Sequence, residues 1–311
     1  MKITSSFFFF YMLLLFSCSG KEPKTTSSKD PFFVILGVTQ DAGYPQISCT
    51  KECCNRVKTE PSLRKMVSSI GLVDPISNQC WIFDATPDFT EQVSLITSHV
   101  KEKTIPDGIF LTHGHIGHYT GLMYLGKEAM SAKKIPVYGM SRMVEYLSTN
   151  GPWEQLVTNQ NIQLNEIKEN QKIVLNSRIA VTPILVPHRD EYTETVGYIV
   201  QCNNKKALFI PDIDKWEKWQ QNITALITAV DIAFLDATFY KNGEIQRDMA
   251  EVPHPFVTES MALFNDLSLR DKNKIHFIHF NHTNPLLDQN SEAKHEVIRQ
   301  GYNVAKEKSI V

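Results

Sequence analysis

The stretch Leu111–Gly121, LTHGHIGHYTG, constrains this chain more than any other. It holds His113, His115 and His118 within six residues, in a chain with ten histidines in all. The apolar run Gly108–Thr112 leads into it and reads as a buried strand. Tyr119–Ala129 follows and reads as a helix, so the histidines fall in the turn between the two. Residues two apart on extended backbone point the same way, so His113 and His115 can serve one point. His118, at the helix start, can turn back toward it. Neutral imidazole is a common ligand for zinc and iron, and the stretch therefore reads as part of a metal site.

The start of the chain reads as a targeting segment rather than as part of the fold. Lys2 and the apolar core Phe7–Phe16, FFFFYMLLLF, have the layout of a signal peptide. The core is too short for a membrane span of ~20 residues. It ends in Leu15-Phe16-Ser17-Cys18, which resembles the lipobox of bacterial lipoproteins. That resemblance implies cleavage before Cys18 and lipid on its thiol. The chain is then an exported bacterial lipoprotein, held by a lipid anchor on the periplasmic side of the inner or outer membrane or at the cell surface. In a plain signal peptide or an uncleaved anchor, Cys18 would be incidental. Residues 1–17 are thus expected to be a signal peptide, residues 18–30 a polar tether, and residues 31–311 one domain. With 42% hydrophobic and 21% charged residues, the composition is that of an ordinary globular chain. The net charge of −2 gives no bulk attraction to nucleic acid, which is not expected as a partner. A small-molecule substrate is expected, and the oligomeric state is not legible.

Apolar runs place strands at Phe32–Val38, Ser69–Val73, Cys80–Ala85, Gly108–Thr112, Pro136–Tyr138, Arg178–Val186, Thr195–Gln201, Ala207–Ile210, Asp231–Leu235 and Lys274–His279. Helices are expected at Asp88–His99, Tyr119–Ala129, Ser141–Ser148, Lys215–Thr228, Thr258–Asp266 and Ser291–Glu307. Strands come first in a group and then alternate with helices, which argues for a mixed α/β (α+β) fold of two sheets covered by helices.

Further candidate ligands follow later strands: His188 in VPHRDE, Asp212 in LFIPDID and His279 in IHFIHFNHTNP. With His113, His115 and His118 they resemble the ligand order of the metallo-β-lactamase superfamily, whose motif is HxHxDH. The flanking stretches QDAGYPQISC, FDATPDF, LDATFY and FIHFNHTNPLL are most similar to one branch of it. That branch includes coenzyme PQQ-biosynthesis protein B, whose own histidine motif is degenerate, and the cyclic phosphodiesterase of phosphonate breakdown. The resemblance implies a four-layer αββα sandwich. It assigns His113, His115 and His188 to one metal, His118 and His279 to a second, and Asp212 to both. Gly117 stands where the family has an aspartate ligand of the second metal. Asp190 and Glu191 are the candidates to replace that carboxylate, and Gly117→Asp is expected to raise occupancy of the second position.

The function so implied is that of a metallo-hydrolase. One or two catalytic zinc ions, with iron or manganese as alternatives, would bring a bound water to hydroxide near pH 7 for attack on an ester or phosphodiester. Asp212 would orient the nucleophile, and His254, in EVPHPF, would protonate the leaving group or hold the developing charge unless it is simply an exposed loop residue. Two other readings stay open: an iron-dependent oxygenase, as in the PQQ branch, and a non-catalytic metal-binding lipoprotein. The cluster CTKECC adds a further expectation. By resemblance to the phosphodiesterase, Cys49, Cys53, Cys54 and His282 would bind a structural zinc, although the cysteine spacing departs from the family's. A disulfide from Cys49 to Cys53 or Cys54 is the alternative. Cys80 and Cys202 lie within expected strands and read as small core residues.

Overall fold

The computed structural model describes residues 29–311. The expected signal peptide, Cys18 and most of the tether lie outside the described residues. Two sheets form, each with its strands in simple chain order. The first contains β1 (Phe32–Gly37), β2 (Ser69–Asp74), β3 (Gln79–Phe83), β4 (Gly108–Phe110), β5 (Ile135–Gly139) and β6 (Ile162–Glu166). It is antiparallel through β3 and parallel thereafter. The second contains β7 (Ile173–Val174), β8 (Ile179–Leu185), β9 (Val196–Cys202), β10 (Lys205–Ile210), β11 (Ile232–Asp236), β12 (Ile275–Ile278) and β13 (Asn303–Val304). It is antiparallel from β7 to β10 and parallel from β10 to β13.

Side chains alternate across a strand, and that alternation builds the layers. On β1, Phe33 and Ile35 join the core between the sheets, while Val34 and Leu36 join the core beneath the outer helices. On β3, Trp81 and Phe83 face inward, and Cys80 and Ile82 outward. Inside, Phe83 packs on Phe110, Tyr198 and Phe209, with ring centroids 5.1, 5.4 and 5.9 Å away. Phe83 is fully buried, a burial that contributes roughly 1.5–3 kcal/mol. The outer core of the first sheet packs on the helices Phe89–Thr97, Ser141–Thr149 and Trp153–Thr158. The second sheet is covered by the helices Ile223–Ala229, Val257–Leu263 and Glu292–Arg299. The result is the expected αββα sandwich.

Several expected elements differ. The helix expected at Tyr119–Ala129 is a single turn, Ile116–Tyr119, followed by 3₁₀ turns over Thr120–Leu125. Gly121 lies directly against the backbone of Thr86 and the side chain of Phe89, which fixes this tight path. The helix expected at Lys215–Thr228 begins only at Ile223, where the Asn222 side chain accepts the Ala225 N–H as a cap. The last helix stops at Arg299 rather than Glu307. Gly301 adopts a left-handed conformation just beyond its end, as C-terminal glycines do, and the chain returns as β13 beside β12. The helix Glu52–Thr59 and the strands β6, β7 and β13 were not expected. Among the described residues no helix is long and apolar enough to cross a membrane.

Candidate metal centre

Strand ends and the loops after them deliver the site. β4 ends at Phe110 and releases His113 and His115; the following helical turn carries His118. His188 follows β8, Asp212 follows β10, and His279 directly follows β12. All six expected ligand residues converge, and Asp212 lies at the middle of them. Its Oδ2 is 3.3 Å from His113 Nε2, 3.8 Å from His118 Nε2 and 3.9 Å from His279 Nε2. Its Oδ1 is 3.3 Å from His188 Nε2. His113 Nε2 lies 2.8 Å from His115 Nδ1. Donors about 2.0–2.1 Å from one tetrahedral zinc sit roughly 3.3 Å apart, so the separations of His113 and His188 from Asp212 fit one shared ion, with His118 and His279 beside it.

The tautomers point the same way. The Thr112 hydroxyl donates to Asp84 Oδ2 at 3.0 Å and accepts from His113 Nδ1, also at 3.0 Å, which leaves the His113 Nε2 lone pair facing Asp212. His118 Nδ1 donates to Asp84 Oδ2 at 2.7 Å, so its Nε2 is likewise an acceptor. The Thr238 hydroxyl donates to Asp236 Oδ1 at 2.8 Å and accepts from His279 Nδ1 at 2.8 Å. These contacts aim each Nε2 at the centre, and a metal there takes the place of any proton on it, as on His118. His188 Nε2, His118 Nε2, His279 Nε2 and Asp212 Oδ1 are buried with no hydrogen-bond partner. Buried polar atoms are rarely left so; a cation between His188 and Asp212 and another between His118 and His279 would satisfy them. The donor set therefore fits one or two divalent ions.

Charge and burial bias the protonation of these side chains. Burial, together with the charge of His118, holds His113 well below the usual imidazole range. Burial pushes His188 down to about 4. Burial opposes a charge on His118, but the carboxylates of Asp84 and Asp41 outweigh it and raise the imidazole well above its usual value. Burial likewise opposes the Asp212 charge, and the neighbouring His188, His254 and His279 outweigh that, holding the carboxyl well below its usual range. His254 is not an exposed loop residue: it is 8% exposed. Its Nδ1 lies 2.8 Å from Asp236 Oδ2 and 3.1 Å from Asp212 Oδ1. Burial disfavours its charge, yet these two carboxylates raise it to about 10. His254 also lines a cavity of about 540 Å³ with Gln40, Arg189, Arg247 and Asn281.

The structure corrects one expectation. Neither Asp190 nor Glu191 reaches His118 or His279. Asp190 Oδ1 accepts from the Thr195 hydroxyl at 2.7 Å, and Glu191 Oε2 lies 3.1 Å from His115 Nε2, on the outer side of that ring. The loop after β8 directs both toward the surface, where they are exposed. The carboxylate that faces His118 and His279 belongs to Asp41, in the loop after β1. Asp84 and Asp236, which orient the imidazoles, were also not singled out. Each opens the same tripeptide, Asp-Ala-Thr, at the end of an apolar run, and that repeat was the available signal.

A second donor cluster lies beside the first. Cys49, Cys53, Cys54 and His282 come together with their donor atoms within 4.8 Å of one another. His282 Nδ1 is 3.3 Å from Cys54 Sγ and 3.7 Å from Cys53 Sγ, and Gln46 N–H donates to Cys54 Sγ at 3.4 Å. Cys53 and Cys54 lie in the first turn of the helix Glu52–Thr59. All five cysteines among the described residues are unpaired, and Cys80 and Cys202 are buried in strands. Three sulfurs and one imidazole match a closed structural zinc site.

Comparison with known proteins agrees with this geometry. Residues 81–280, more than half of the chain, match the family model described as the beta-lactamase superfamily domain. The chain belongs to this superfamily. It is 24% identical over 301 residues to coenzyme PQQ synthesis protein B of Methylococcus capsulatus, covering 87% of this chain and 96% of that one. The structure of Zn²⁺-bound PqqB from Methylobacterium extorquens superposes with a TM-score of 0.76 at 22% identity, covering 90% of this chain and 99% of that one. A diphosphatase of the PhnP family superposes with a TM-score of 0.65 at 21% identity, covering 90% and 96%. At these identities the solved structures speak for the fold.

Proposed function

We propose that this β-lactamase-superfamily chain is a metal-dependent hydrolase of a polar ester or phosphodiester. The observation that carries the reading is Asp212: one buried carboxylate within 4 Å of Nε2 on each of His113, His118, His188 and His279. His113, His115, His188 and Asp212 would hold one ion, and His118 and His279, with Asp212, a second. A divalent ion so placed supplies a water nucleophile at neutral pH and polarises the bond under attack.

The chain's own residues supply the rest. Asp84 and Thr238 hold the imidazoles in their ligand tautomers. Asp212 orients the nucleophile. His254, pinned at Nδ1 by Asp236 and lining the cavity, protonates the leaving group. Arg189 and Arg247 line the same cavity and suit a substrate with an anionic part. The superfamily match, and the fold shared with a PhnP-family diphosphatase, support the hydrolase reading.

The test is a panel of phosphodiesters, lactones and carboxylic esters presented to protein loaded with zinc or manganese. Turnover of one class is expected, removed by chelator, lost in Asp212→Asn, and without oxygen consumption. A protein that is fully metal-loaded and inert to every class, or that turns over only with oxygen uptake, would refute the proposal.

A further inference from the structure

The second metal position lacks the aspartate of its family motif, yet the structure delivers a carboxylate to the same point from another wall. Asp41 Oδ1 lies 3.1 Å from His118 Nε2 and 3.8 Å from His279 Nε2. All three atoms are buried and without a hydrogen-bond partner. The tautomers set by Asp84 and Thr238 make both nitrogens acceptors, and a carboxylate oxygen accepts as well. With both imidazoles neutral, three acceptors face one another with no donor between them, so the group calls for a positive charge at this point, either a proton on His118 or a metal cation that displaces it.

The fold holds Asp41 there. Phe280 N–H donates to Val38 O at 2.8 Å, and Gln40 N–H donates to Phe280 O at 2.9 Å. These bonds stitch the end of β1 to the residue after His279. A turn closed by Gly43 N–H to Gln40 O, with Gly43 at φ +72°, then carries the chain away.

Gly117 completes the argument. A Cβ at that position would lie 2.3 Å from Asp41 Oδ1, 2.8 Å from its Cγ and 2.7 Å from its Cα. The last contact is to backbone and has no flexible way out. A side chain at 117 and the present placement of Asp41 therefore exclude each other. We infer that Asp41 is the carboxylate ligand of the second metal position and that Gly117 is glycine to make room for it. HxHxGH is then a relocated form of the motif, not a degenerate one. The expectation that Gly117→Asp raises metal occupancy is reversed.

The inference rests on the metal-centre reading, and one experiment separates the two. Zinc bound per chain is measured by equilibrium dialysis and elemental analysis on the full mature chain, with folding checked by circular dichroism. Wild type is expected to hold two ions at the centre besides the one on the cysteines. Asp41→Ala and the near-isosteric Asp41→Asn are each expected to hold one fewer. Gly117→Asp alone should also lose one, and Asp41→Gly combined with Gly117→Asp should regain it. Wild type without zinc at the histidines would overturn the metal centre itself. Two ions at the centre of folded Asp41→Asn and Asp41→Ala, or a gain in Gly117→Asp alone, would overturn the assignment of Asp41.

Discussion

Replacing Asp84 with Asn should weaken metal binding without opening a cavity, because the new amide cannot serve both partners of the carboxylate. Asp84 is fully buried, at φ +70°. Its Oδ1 accepts the Thr112 N–H at 2.8 Å, and its Oδ2 accepts His118 Nδ1–H and the Thr112 hydroxyl. Asn is nearly isosteric and tolerates the left-handed region, so the backbone should hold. If the amide oxygen faces His118, the NH₂ group meets the Thr112 N–H, donor against donor. If the NH₂ group faces His118, the imidazole must accept at Nδ1 and carry its proton on Nε2, where the metal would bind. Loss of such an orienting group typically costs 10–100-fold in metal affinity, or about 1.4–2.7 kcal/mol. The larger loss should fall on the position of His118. A smaller one should fall on that of His113, which Asp84 reaches through Thr112. Zinc titration against a chromophoric chelator would measure both steps. Affinities within about twofold of wild type at both positions would refute the tautomer argument.

Three other outcomes are expected. Protein purified without reductant should release zinc and expose three thiols on chelation; one free thiol and a reducible pair would instead mean a disulfide at Cys49. His276, on β12 with its ring 5.6 Å from Phe234, is pushed by burial down to about 4. The unfolded chain then takes up a proton between pH 6.5 and 4 that the native state refuses, so stability falls as pH falls through that window; His276→Gln should flatten the decline in Tm between pH 7 and 4.5, and an unchanged slope would argue against it. We propose that Cys18 carries the lipid that anchors the mature chain; Cys18→Ser should then move the protein out of the membrane fraction or leave it uncleaved, and wild-type protein recovered without acyl chains would count against the lipobox.

Much of the layout was readable because the informative features are local. Apolar runs such as Phe32–Val38 and Asp231–Leu235 mark strands that are buried on both faces, and the ligands His188, Asp212 and His279 directly follow such runs. Asp41 was visible as a letter in QDAGYPQ but not as a neighbour of His118. Its position depends on the backbone bonds between Val38 and Phe280, which join segments some 240 residues apart and leave no local pattern. The helix Glu52–Thr59 escaped because only Cys54 and Val57 are buried on it, too few to set a period. β6 does alternate Ile162 and Leu164 with polar residues, but five residues at a sheet edge give a weak signal. His254 was placed at the site by resemblance; its burial against Asp236 came only from the packing of β11.

The central claim is that Asp212 stands between two metal positions. Anomalous diffraction at the zinc edge, from crystals of the zinc-loaded protein, tests it most directly. The account predicts one peak among His113, His115, His188 and Asp212, a second among Asp41, His118, His279 and Asp212, and a third among Cys49, Cys53, Cys54 and His282. A fully loaded crystal with no peak beside Asp212 would contradict it.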